Sequence, residues 1–587
     1  MHKRLSNTIL DRIEKRLERL YPNQMAGLME RLLYTVGRYG VGLDQRKPDS
    51  LWDENDVVLI TYGDSLRPGG EGGGAHPLAT LRRFCRKHLK GAISTVHLLP
   101  FYPWSSDDGF SVIDYREVDP DVGDWQDVED FSHHFDLMFD LVLNHCSSRS
   151  SWFRDFVAGI QPGRHYFLEM DPETDLSAVV RPRTSPLLTR TATRDGEVHV
   201  WTTFSADQVD LNWQNPDLLF EFIDIFFLYV SRGARILRLD AVAFLWKEIG
   251  TQCIHLPQTH EMVKLFRDLC ELVAPHVVIL TETNVPHEEN ISYYGEGDEA
   301  HMVYNFSLPP LLLHGLLRND PSYLKAWAAG LPELEAGMTW FNFSSSHDGI
   351  GVRPLAGLLP EAELNHVVEA VRERGGRVNM RTGPTGKPEP DELNITYKDA
   401  LRYLDDEERS LARFLCSQAV VLSMRGVPAV YIHALLGTPN DQDGVERTGQ
   451  NRSINRKKWD EPELQAELDD LDSAMGKTFR AYQRLLKRRR DHKAFHPDAE
   501  MRMLDLGEAL FAFSRISIDR EETIVCIFNF SGKAQVVKNP RKDEFSKRIK
   551  SFYDLISGKT LGSGAKGIKL SPYQALWLIP KVTDATA

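Results

Sequence analysis

The sequence has no apolar run long enough to cross a bilayer, since a spanning helix takes about 20 residues. The basic N-terminus, Met1 to Asn7, is not followed by an apolar segment and a cleavage site, so no secretory signal is predicted. The six cysteines are dispersed and form no Cys-x-x-Cys pair. Their dispersal argues against a disulfide framework or a cysteine zinc site and predicts reduced thiols in a cytoplasmic protein.

Basic residues are outnumbered by acidic ones, 70 to 84, which gives a formal net charge of −14. A chain this acidic lacks the basic surface by which proteins bind nucleic acid. Its 587 residues exceed what one compact core usually needs, so several domains are expected. Plentiful aromatic residues and the absence of long low-complexity tracts indicate a globular protein.

Residues 1–50 have a helical pattern. Apolar residues from Ile9 to Leu20 recur at helical spacing with charges between them, and a second helix is predicted from Gln24 to Arg38. We interpret this stretch as a helical extension packed on the main domain or on a partner subunit. The oligomeric state therefore stays open, with a homodimer as one expectation.

From residue 51 onward, strands and helices alternate, which is typical of a parallel sheet. The pattern predicts a (β/α)8 TIM barrel, of class α/β. The predicted strands are Val57–Tyr62, Ile93–Leu98, Met138–His145, Ala234–Leu239, Val277–Thr281, Trp340–His347 and Ala429–His433. The predicted helices are Leu78–Leu89, Val128–Phe135, Leu218–Ser231, Glu261–Val273 and Glu407–Ser423.

Two irregular segments interrupt the barrel pattern, and a different pattern follows it. The barrel is predicted to occupy residues 51–145, 206–355 and 401–494, with an inserted subdomain at 146–205 and a second inserted segment at 356–400. Short strands without helices predict a C-terminal antiparallel β domain at 495–587. The glycine-rich loop at 69–74 lacks the Lys-Ser/Thr ending of a phosphate-binding loop and is predicted to be a surface connection.

Polar residues stand at the carboxyl ends of four predicted strands, where barrel enzymes place their chemistry. Arg238 and Asp240 share one face of their strand, so the arginine should keep the aspartate ionised. An ionised, rigidly held carboxylate is the nucleophile that covalent glycosyl transfer needs. The other strand ends carry Asp140 with Asn144 and His145, Glu282, and His347 with Asp348.

These four motifs, in this order, resemble those of the α-amylase superfamily. The resemblance implies that Asp240 is the nucleophile, Glu282 the general acid/base and Asp348 the transition-state stabiliser. It also implies that Arg238, His145 and His347 bind substrate. Glu282 would need a raised pKa, which a neighbouring carboxylate would provide. A retaining mechanism predicts that the carboxyl groups of Asp240 and Glu282 lie about 5 to 5.5 Å apart.

A narrower resemblance is carried by four segments, which are similar to those of the sucrose phosphorylase group. They are Phe101–Val112, Asp207–Trp213, His347–Val352 and Asn451–Arg456. The resemblance implies that Asp107 and Arg452 grip the far hydroxyls of one glucose, so the donor site would be a pocket. Gln208, in the second segment, is a further predicted substrate-binding residue.

Within that group, several stretches resemble the glucosylglycerate phosphorylases most, among them Arg181–Arg183 and Glu392–Tyr397. A glycerate acceptor carries a carboxylate, which arginine binds with two parallel hydrogen bonds. Arg181 and Arg183 are the predicted acceptor-binding residues. Arg377 and Arg381, in the second irregular segment, are further candidates for that wall.

The resemblance thus implies a retaining glucoside phosphorylase that converts 2-O-α-D-glucosylglycerate and phosphate to α-glucose 1-phosphate and glycerate. Phosphate is a substrate, and neither a metal nor a dissociable organic cofactor is expected. Sucrose or glucosylglycerol phosphorylase, a plain hydrolase and a non-catalytic sugar-binding protein on the same scaffold stay open as alternatives.

Overall fold

Eight short apolar strands form a closed parallel barrel at the centre of the computed structural model. The structure describes residues 6–39, 48–69, 75–383, 387–537, 549–562 and 567–582. The barrel strands are β1 Val58–Thr61, β2 Thr95–Leu98, β3 Asp136–Val142, β4 Ala234–Asp240, β5 Val278–Thr281, β6 Met302–Tyr304, β7 Thr339–Asn342 and β8 Val427–Tyr431.

Each barrel strand pairs with its neighbours in the sequence, and β8 closes the ring by pairing Ala429 with Val58 of β1. The strands are buried nearly throughout because helices cover their outer side. Asp140 of β3 lies directly opposite Arg238 of β4. The carboxyl ends of all eight strands meet at one end of the barrel, which is where the candidate site lies.

Helices surround the barrel. They are Pro77–His88, Trp125–Ser132, Pro216–Ser231, Pro257–Val273, His287–Ile291, Leu308–Arg318, Ser322–Ala329, Glu361–Glu373, Tyr397–Ala400, Glu407–Ser423, Ile432–Leu436, Gln442–Thr448, Glu461–Asp469 and Ala474–Arg489. None of the helices in the described ranges is both long and apolar enough to span a bilayer. All six cysteines are buried, and none of them is joined in a disulfide.

Short sheets stand above the carboxyl end of the barrel and wall the site. After β3, His145–Ser147 pairs with Gln208–Asp210, and between them lie the helix Ser151–Ala158 and the hairpin Leu188–Thr193/Gly196–Trp201. After β7, Pro388–Asn394 pairs with both Ile350–Gly351 and Arg377–Thr382. A shorter parallel pair joins Leu66–Arg67 to Trp459–Asp460.

The N-terminal helices Asn7–Leu20 and Leu28–Tyr39 pack on the outside of the barrel layer. Arg12 and Arg16 both reach Asp268 on the helix Pro257–Val273, at 2.6 and 2.5 Å. The second helix contacts Pro216–Ser231 through Arg31, 2.5 Å from Asp217. The extension therefore covers the chain's own barrel helices.

The strands of the C-terminal part of the chain form antiparallel sheets. Six strands follow the order Glu500–Met503, Leu510–Ile516, Thr523–Asn529, Ala575–Val582, Ile549–Asp554 and Lys559–Gly562, and Gln535–Val537 pairs with Ile568–Leu570. Phe513, Phe528 and Trp577 from its inner face join the same hydrophobic cluster as the barrel helices.

The predicted fold class is confirmed, while several boundaries differ. The second N-terminal helix begins at Leu28 rather than Gln24, and β7 ends at Asn342 rather than His347. The predicted strand Met138–His145 is two strands, since the chain turns after Val142 and His145 opens an antiparallel pair. Strand β6 was not predicted. Residues 70–74 of the glycine-rich loop lie outside the described residues.

Candidate active site

Strand β4 carries Arg238 and Asp240, the two residues at the centre of the pocket. Arg238 and Asp240 lie on one face, and Arg238 Nη1 donates to Asp240 Oδ1 at 2.6 Å and to Asp140 Oδ1 at 2.5 Å. All three side chains are buried. Two carboxylates therefore fix the guanidinium, and the guanidinium fixes Asp240 at the mouth of the barrel.

Asp140 has a second partner besides Arg238. His97 Nε2 lies 2.7 Å from its other carboxylate oxygen. Burial alone would raise the pKa of Asp140, but His97 and Arg238 lower it below its ordinary value. Asp140 is thus an ionised group that orients Arg238 from below the pocket.

Glu282 follows β5 and points into the same pocket. Its Oε2 accepts a hydrogen bond of 3.0 Å from the backbone N–H of Ala241 and lies 3.9 Å from Arg238 Nη2. Ala241 has a φ of 50°, which is uncommon for a residue other than glycine. The turn at Ala241, directly after Asp240, points the Ala241 N–H at Glu282. It therefore keeps the carboxyl groups of Asp240 and Glu282 on the same side of the pocket.

Burial outweighs Arg238 and raises the pKa of both Asp240 and Glu282, that of Asp240 well above its ordinary value. The prediction that the arginine alone keeps Asp240 ionised is therefore wrong, because burial and the neighbouring Glu282 oppose it. The charge of Asp348 raises the pKa of Glu282 further. The raised pKa predicted for Glu282 is confirmed, although burial contributes more than the neighbouring carboxylate. Because Arg238 contacts Asp240 directly and Glu282 only at longer range, a proton shared by the pair belongs on Glu282.

Arg452 connects the residues on the opposite wall. Its Nη1 lies 2.9 Å from Asp348 Oδ1 and 3.6 Å from Asp107 Oδ1, while Nε and Nη2 donate to the two oxygens of Glu392 at 3.1 and 2.8 Å. Burial opposes ionisation of Asp348, but Arg452 and Arg456 lower its pKa. Asp348 is therefore held in its ionised form by these two arginines.

Asp107 sits in a strained backbone next to this arginine. Both Asp107 and Asp108 have positive φ, 53° and 46°, a conformation that persists in aspartates only where surroundings enforce it. Gln208 Nε2 donates to Asp107 Oδ2 at 3.5 Å and lies 3.2 Å from His145 Nε2. Asp107, Gln208 and His145 therefore form one polar wall.

The two histidines of the pocket are neutral. Burial lowers the pKa of His145, and burial together with Arg238 and Arg456 lowers that of His347 well below its ordinary value. The His347 ring stacks on Phe110 with centroids 4.8 Å apart. Neutral imidazoles can hydrogen-bond a sugar hydroxyl without adding positive charge beside Arg238.

Asn144 and Asp210 bind a lysine beside the pocket. Lys247 Nζ lies 2.7 Å from Asn144 Oδ1 and 2.6 Å from Asp210 Oδ2, and it also donates to the backbone carbonyl of Phe244. The chain's own ammonium group thus takes up the oxygen atoms of Asn144 and Asp210, which are of the kind that a hard cation binds.

Of the arginines predicted to bind the acceptor, one lines the pocket and the others lie outside it. Arg183 lines the pocket and lies 3.0 Å from Asp391. Arg181 does not line it, because its guanidinium donates to the Ser185 backbone carbonyl within its own loop. Arg377 and Arg381 also lie outside the lining, and Arg381 pairs with Glu389 at 2.6 Å.

Apart from Arg181 and the further candidates Arg377 and Arg381, the substrate-binding and catalytic residues predicted from the sequence line one pocket. These are Asp107, His145, Arg183, Gln208, Arg238, Asp240, Glu282, His347, Asp348 and Arg452. Sequence reasoning missed Asn284, Arg353, Asp391 and Glu392, which line it too. All four stand in or next to a motif or stretch named above, but sequence spacing alone does not show which side chains face the pocket. The separation expected between the carboxyl groups of Asp240 and Glu282 stays a prediction.

Comparison with known proteins agrees with this geometry. The model of the protein family described as "Alpha amylase, catalytic domain" matches residues 88–317. The chain is 48% identical over 536 residues to a glucosylglycerate phosphorylase of Spirochaeta thermophila, covering 90% of each chain. It is 45% identical over 531 residues to a glucosylglycerate phosphorylase of Escherichia coli, covering 90% of this chain and 92% of that one. A crystal structure of sucrose 6F-phosphate phosphorylase from Thermoanaerobacter thermosaccharolyticum superimposes with a TM-score of 0.70 at 26% identity, covering 81% and 94%.

The chain belongs to the α-amylase family of (β/α)8-barrel proteins. Within that family it is an enzyme of the glucoside phosphorylase type, which takes a small sugar substrate and phosphate.

Proposed function

We propose that the protein catalyses the reversible phosphorolysis of 2-O-α-D-glucosylglycerate, giving α-glucose 1-phosphate and glycerate. The observation that carries the proposal is the convergence of Asp240, Glu282 and Asp348 on one pocket whose rim bears Arg183 and Arg353. Three carboxylates suit the transfer of a glucosyl group with retention, and cationic groups at the rim suit anionic acceptors.

In the first half-reaction, an Asp240 oxygen attacks the anomeric carbon and the bond from that carbon to the glycerate oxygen breaks. Glu282 gives its proton to the leaving oxygen, so glycerate departs as an alcohol. Asp348, ionised, stabilises the positive charge that develops on the ring. Arg452, beside Asp348 and Asp107, holds the far side of the glucose.

In the second half-reaction, a phosphate oxygen attacks the anomeric carbon and displaces Asp240. Glu282, now a carboxylate, takes the proton from the attacking phosphate. Two inversions restore the α configuration. The same cycle with water in place of phosphate would be hydrolysis, so acceptor binding decides the outcome.

Glycerate is favoured over the neutral acceptors fructose and glycerol by the charge of the rim. Sucrose or glucosylglycerol phosphorylase activity nevertheless remains the alternative within the family. Incubating the enzyme with α-glucose 1-phosphate and each of glycerate, glycerol and fructose tests the choice. We expect phosphate release to be fastest with glycerate. Faster release with fructose or glycerol would replace the proposed substrate, and equal glucose release with and without phosphate would indicate a hydrolase.

Replacing the proposed nucleophile tests the mechanism itself. Asp240→Asn keeps the shape of the side chain and a contact with Arg238, but it cannot form the glucosyl ester. We expect turnover to fall by about 10⁴-fold or more, with an unchanged melting temperature or a small rise. Normal phosphorolysis by a folded Asp240→Asn enzyme would show a non-catalytic role for Asp240.

Three further properties belong to the proposal. The enzyme works in the cytoplasm and needs no metal or organic cofactor, and a homodimer is one oligomeric state open to it. Lys247 in place of a bound cation supports the second property. Activity after dialysis against a chelator, and the mass of the native protein by light scattering, test the second and third properties.

A further inference from the structure

The pocket contains four arginines, and three of them are neutralised by carboxylates. Arg183 pairs with Asp391, Arg238 with Asp140 and Asp240, and Arg452 with Asp348 and Glu392. Within the described ranges, the fourth, Arg353, forms no ion pair and donates no side-chain hydrogen bond. It is therefore the cation of the pocket whose charge is left for a ligand.

The surroundings of Arg353 make this charge costly without a ligand. The side chain is half-buried, and the charged groups near enough to affect it are Arg381, Glu289 and Asp391. Burial and Arg381 lower the pKa of Arg353 despite the two acids, but a guanidinium stays protonated in a protein. A partly desolvated cation beside a second cation gains from an anion placed next to it.

The backbone that carries Arg353 is firmly held. Val352 N–H donates to the Asp391 carbonyl at 3.0 Å, and a short 3₁₀ helix, Arg353–Leu355, follows with Pro354 and Leu355 buried. This contact places Arg353 next to the Arg183–Asp391 pair on the acceptor wall. An anion there needs little reorganisation of the chain.

We propose that Arg353 binds the anionic group of the acceptor, the phosphate in one direction and the glycerate carboxylate in the other. This inference rests on the proposed function, in which both anions occupy the same place in turn. Each makes charge-assisted hydrogen bonds with the guanidinium. Arg353 is thus a residue that determines the preference for charged acceptors over water and neutral alcohols.

The test separates acceptor binding from formation of the glucosyl-enzyme. With α-glucosyl fluoride as donor, no phosphate is needed for the first half-reaction, and the glucosyl group then divides between water and an added acceptor. We compare wild type with Arg353→Met, Arg353→Lys and the matched control Arg372→Met, whose exposed arginine is paired with Glu369 at 2.6 Å outside the pocket. Product ratios do not depend on how much of a variant is folded.

We expect Arg353→Met to lower both the phosphate-to-water and the glycerate-to-water transfer ratios by about 10- to 100-fold. Arg353→Lys should restore part of each ratio, and Arg372→Met should match wild type. The glycerol-to-water ratio should change less than two-fold, which a general distortion of the pocket would not allow. Unchanged ratios for the two anions in Arg353→Met would overturn the assignment, and loss for one anion alone would overturn the shared position.

Failure of the inference and failure of the proposed function give different results. If wild type transfers glucose to neither phosphate nor glycerate, the proposed function falls and the role of Arg353 falls with it. If wild type transfers to both and Arg353→Met does the same, only the role of Arg353 falls.

Discussion

Arg238 has to satisfy more negative charge than one guanidinium can neutralise. Asp140 and Asp240 contact it directly, and the partly exposed Glu282 lies 3.9 Å away. Because His97 also contacts Asp140, Arg238 is left to balance Asp240 and Glu282, and two ionised carboxylates beside one shared cation leave charge that is costly away from water. One proton on this pair relieves that charge, and the geometry favours Glu282 as its carrier.

The proton on Glu282 predicts a pH dependence. Because the pKa of Glu282 is raised, the carboxyl group is still protonated at a pH where an ordinary glutamate has lost its proton. As pH rises through that raised pKa, the acid form is lost and cleavage of glucosylglycerate should slow. With α-glucosyl fluoride, whose leaving group needs no proton, this alkaline fall should be absent from wild type, and Glu282→Gln should show it with neither donor. We would measure kcat/KM for both donors across pH.

The contrast between donors is the control. Glu282→Gln should lose about 10²- to 10⁴-fold with glucosylglycerate but far less with the fluoride. An equal loss with both donors would mean that Glu282 does not donate the proton.

The positive charge of Lys247 stabilises the buried carboxylate of Asp210 beside the pocket. Replacing it by Met leaves Asp210 buried without its cation, which should cost about 3 to 5 kcal/mol in unfolding free energy. The matched control is Lys477→Met, since Lys477 is exposed and 3.9 Å from Asp472, a kind of pair worth about 0 to 1 kcal/mol. Chemical denaturation of both variants measures the difference. Equal stabilities would mean that water replaces the ammonium at Asp210.

At the scale of elements, the carboxyl ends of the strands were more predictable than the strands themselves. A buried apolar run followed by a polar residue predicts the end of a barrel strand, and Arg238-x-Asp240 and Glu282 were located in this way. Strand β6 escaped because it contains only Met302, Val303 and Tyr304, too few residues for any periodicity to appear. Its existence depends on pairing with β5 and β7, which are distant in sequence.

The acceptor wall was less predictable for a related reason. Sequence patterns identify residue types that suit anion binding, but the contacts that matter join distant segments. Arg183 with Asp391 joins the two insertions, and Arg452 with Glu392 joins the second insertion to the last part of the barrel. Pairing decides which arginine is neutralised and which is left for a ligand. That information is absent from local spacing, so Arg181 was included and Arg353 was missed.

One glycine sets the approach of two of these wall elements. A Cβ at Gly349 would lie 2.5 Å from Glu392 Cγ and 2.8 Å from the Leu393 carbonyl. Gly349→Ala should therefore push Glu392 and Arg452 away from Asp348, at a cost of about 1 to 3 kcal/mol, and should raise KM for the glucosyl donor. Gly37→Ala is the control, because a Cβ there meets nothing within 4 Å. Steady-state kinetics of both variants would contradict this account if Gly349→Ala kept the wild-type KM.

At the scale of the whole molecule, the C-terminal sheet and the barrel share one interior. Phe511, Phe528 and Phe530 belong to the same cluster as the barrel helices, and Arg515 Nη1 donates to the Ser423 carbonyl at 2.7 Å. The outer face of the sheet has a separate small cluster that includes Leu578. Unfolding the sheet alone would expose the barrel helices, so the two parts should stabilise each other.

We therefore expect the protein to melt in one cooperative transition by calorimetry. Phe530→Ala, at the shared interior, and Leu578→Ala, in the outer cluster, should each cost about 2 to 5 kcal/mol. Spread over the entropy of unfolding 587 residues, either loss should lower the single melting temperature by only about 2 to 4 °C. A domain of about 90 residues that melted by itself would shift by roughly 4 to 8 °C for each kcal/mol. A large shift of a separate first peak in Leu578→Ala, with the main peak unmoved, would show that the C-terminal sheet unfolds independently of the barrel.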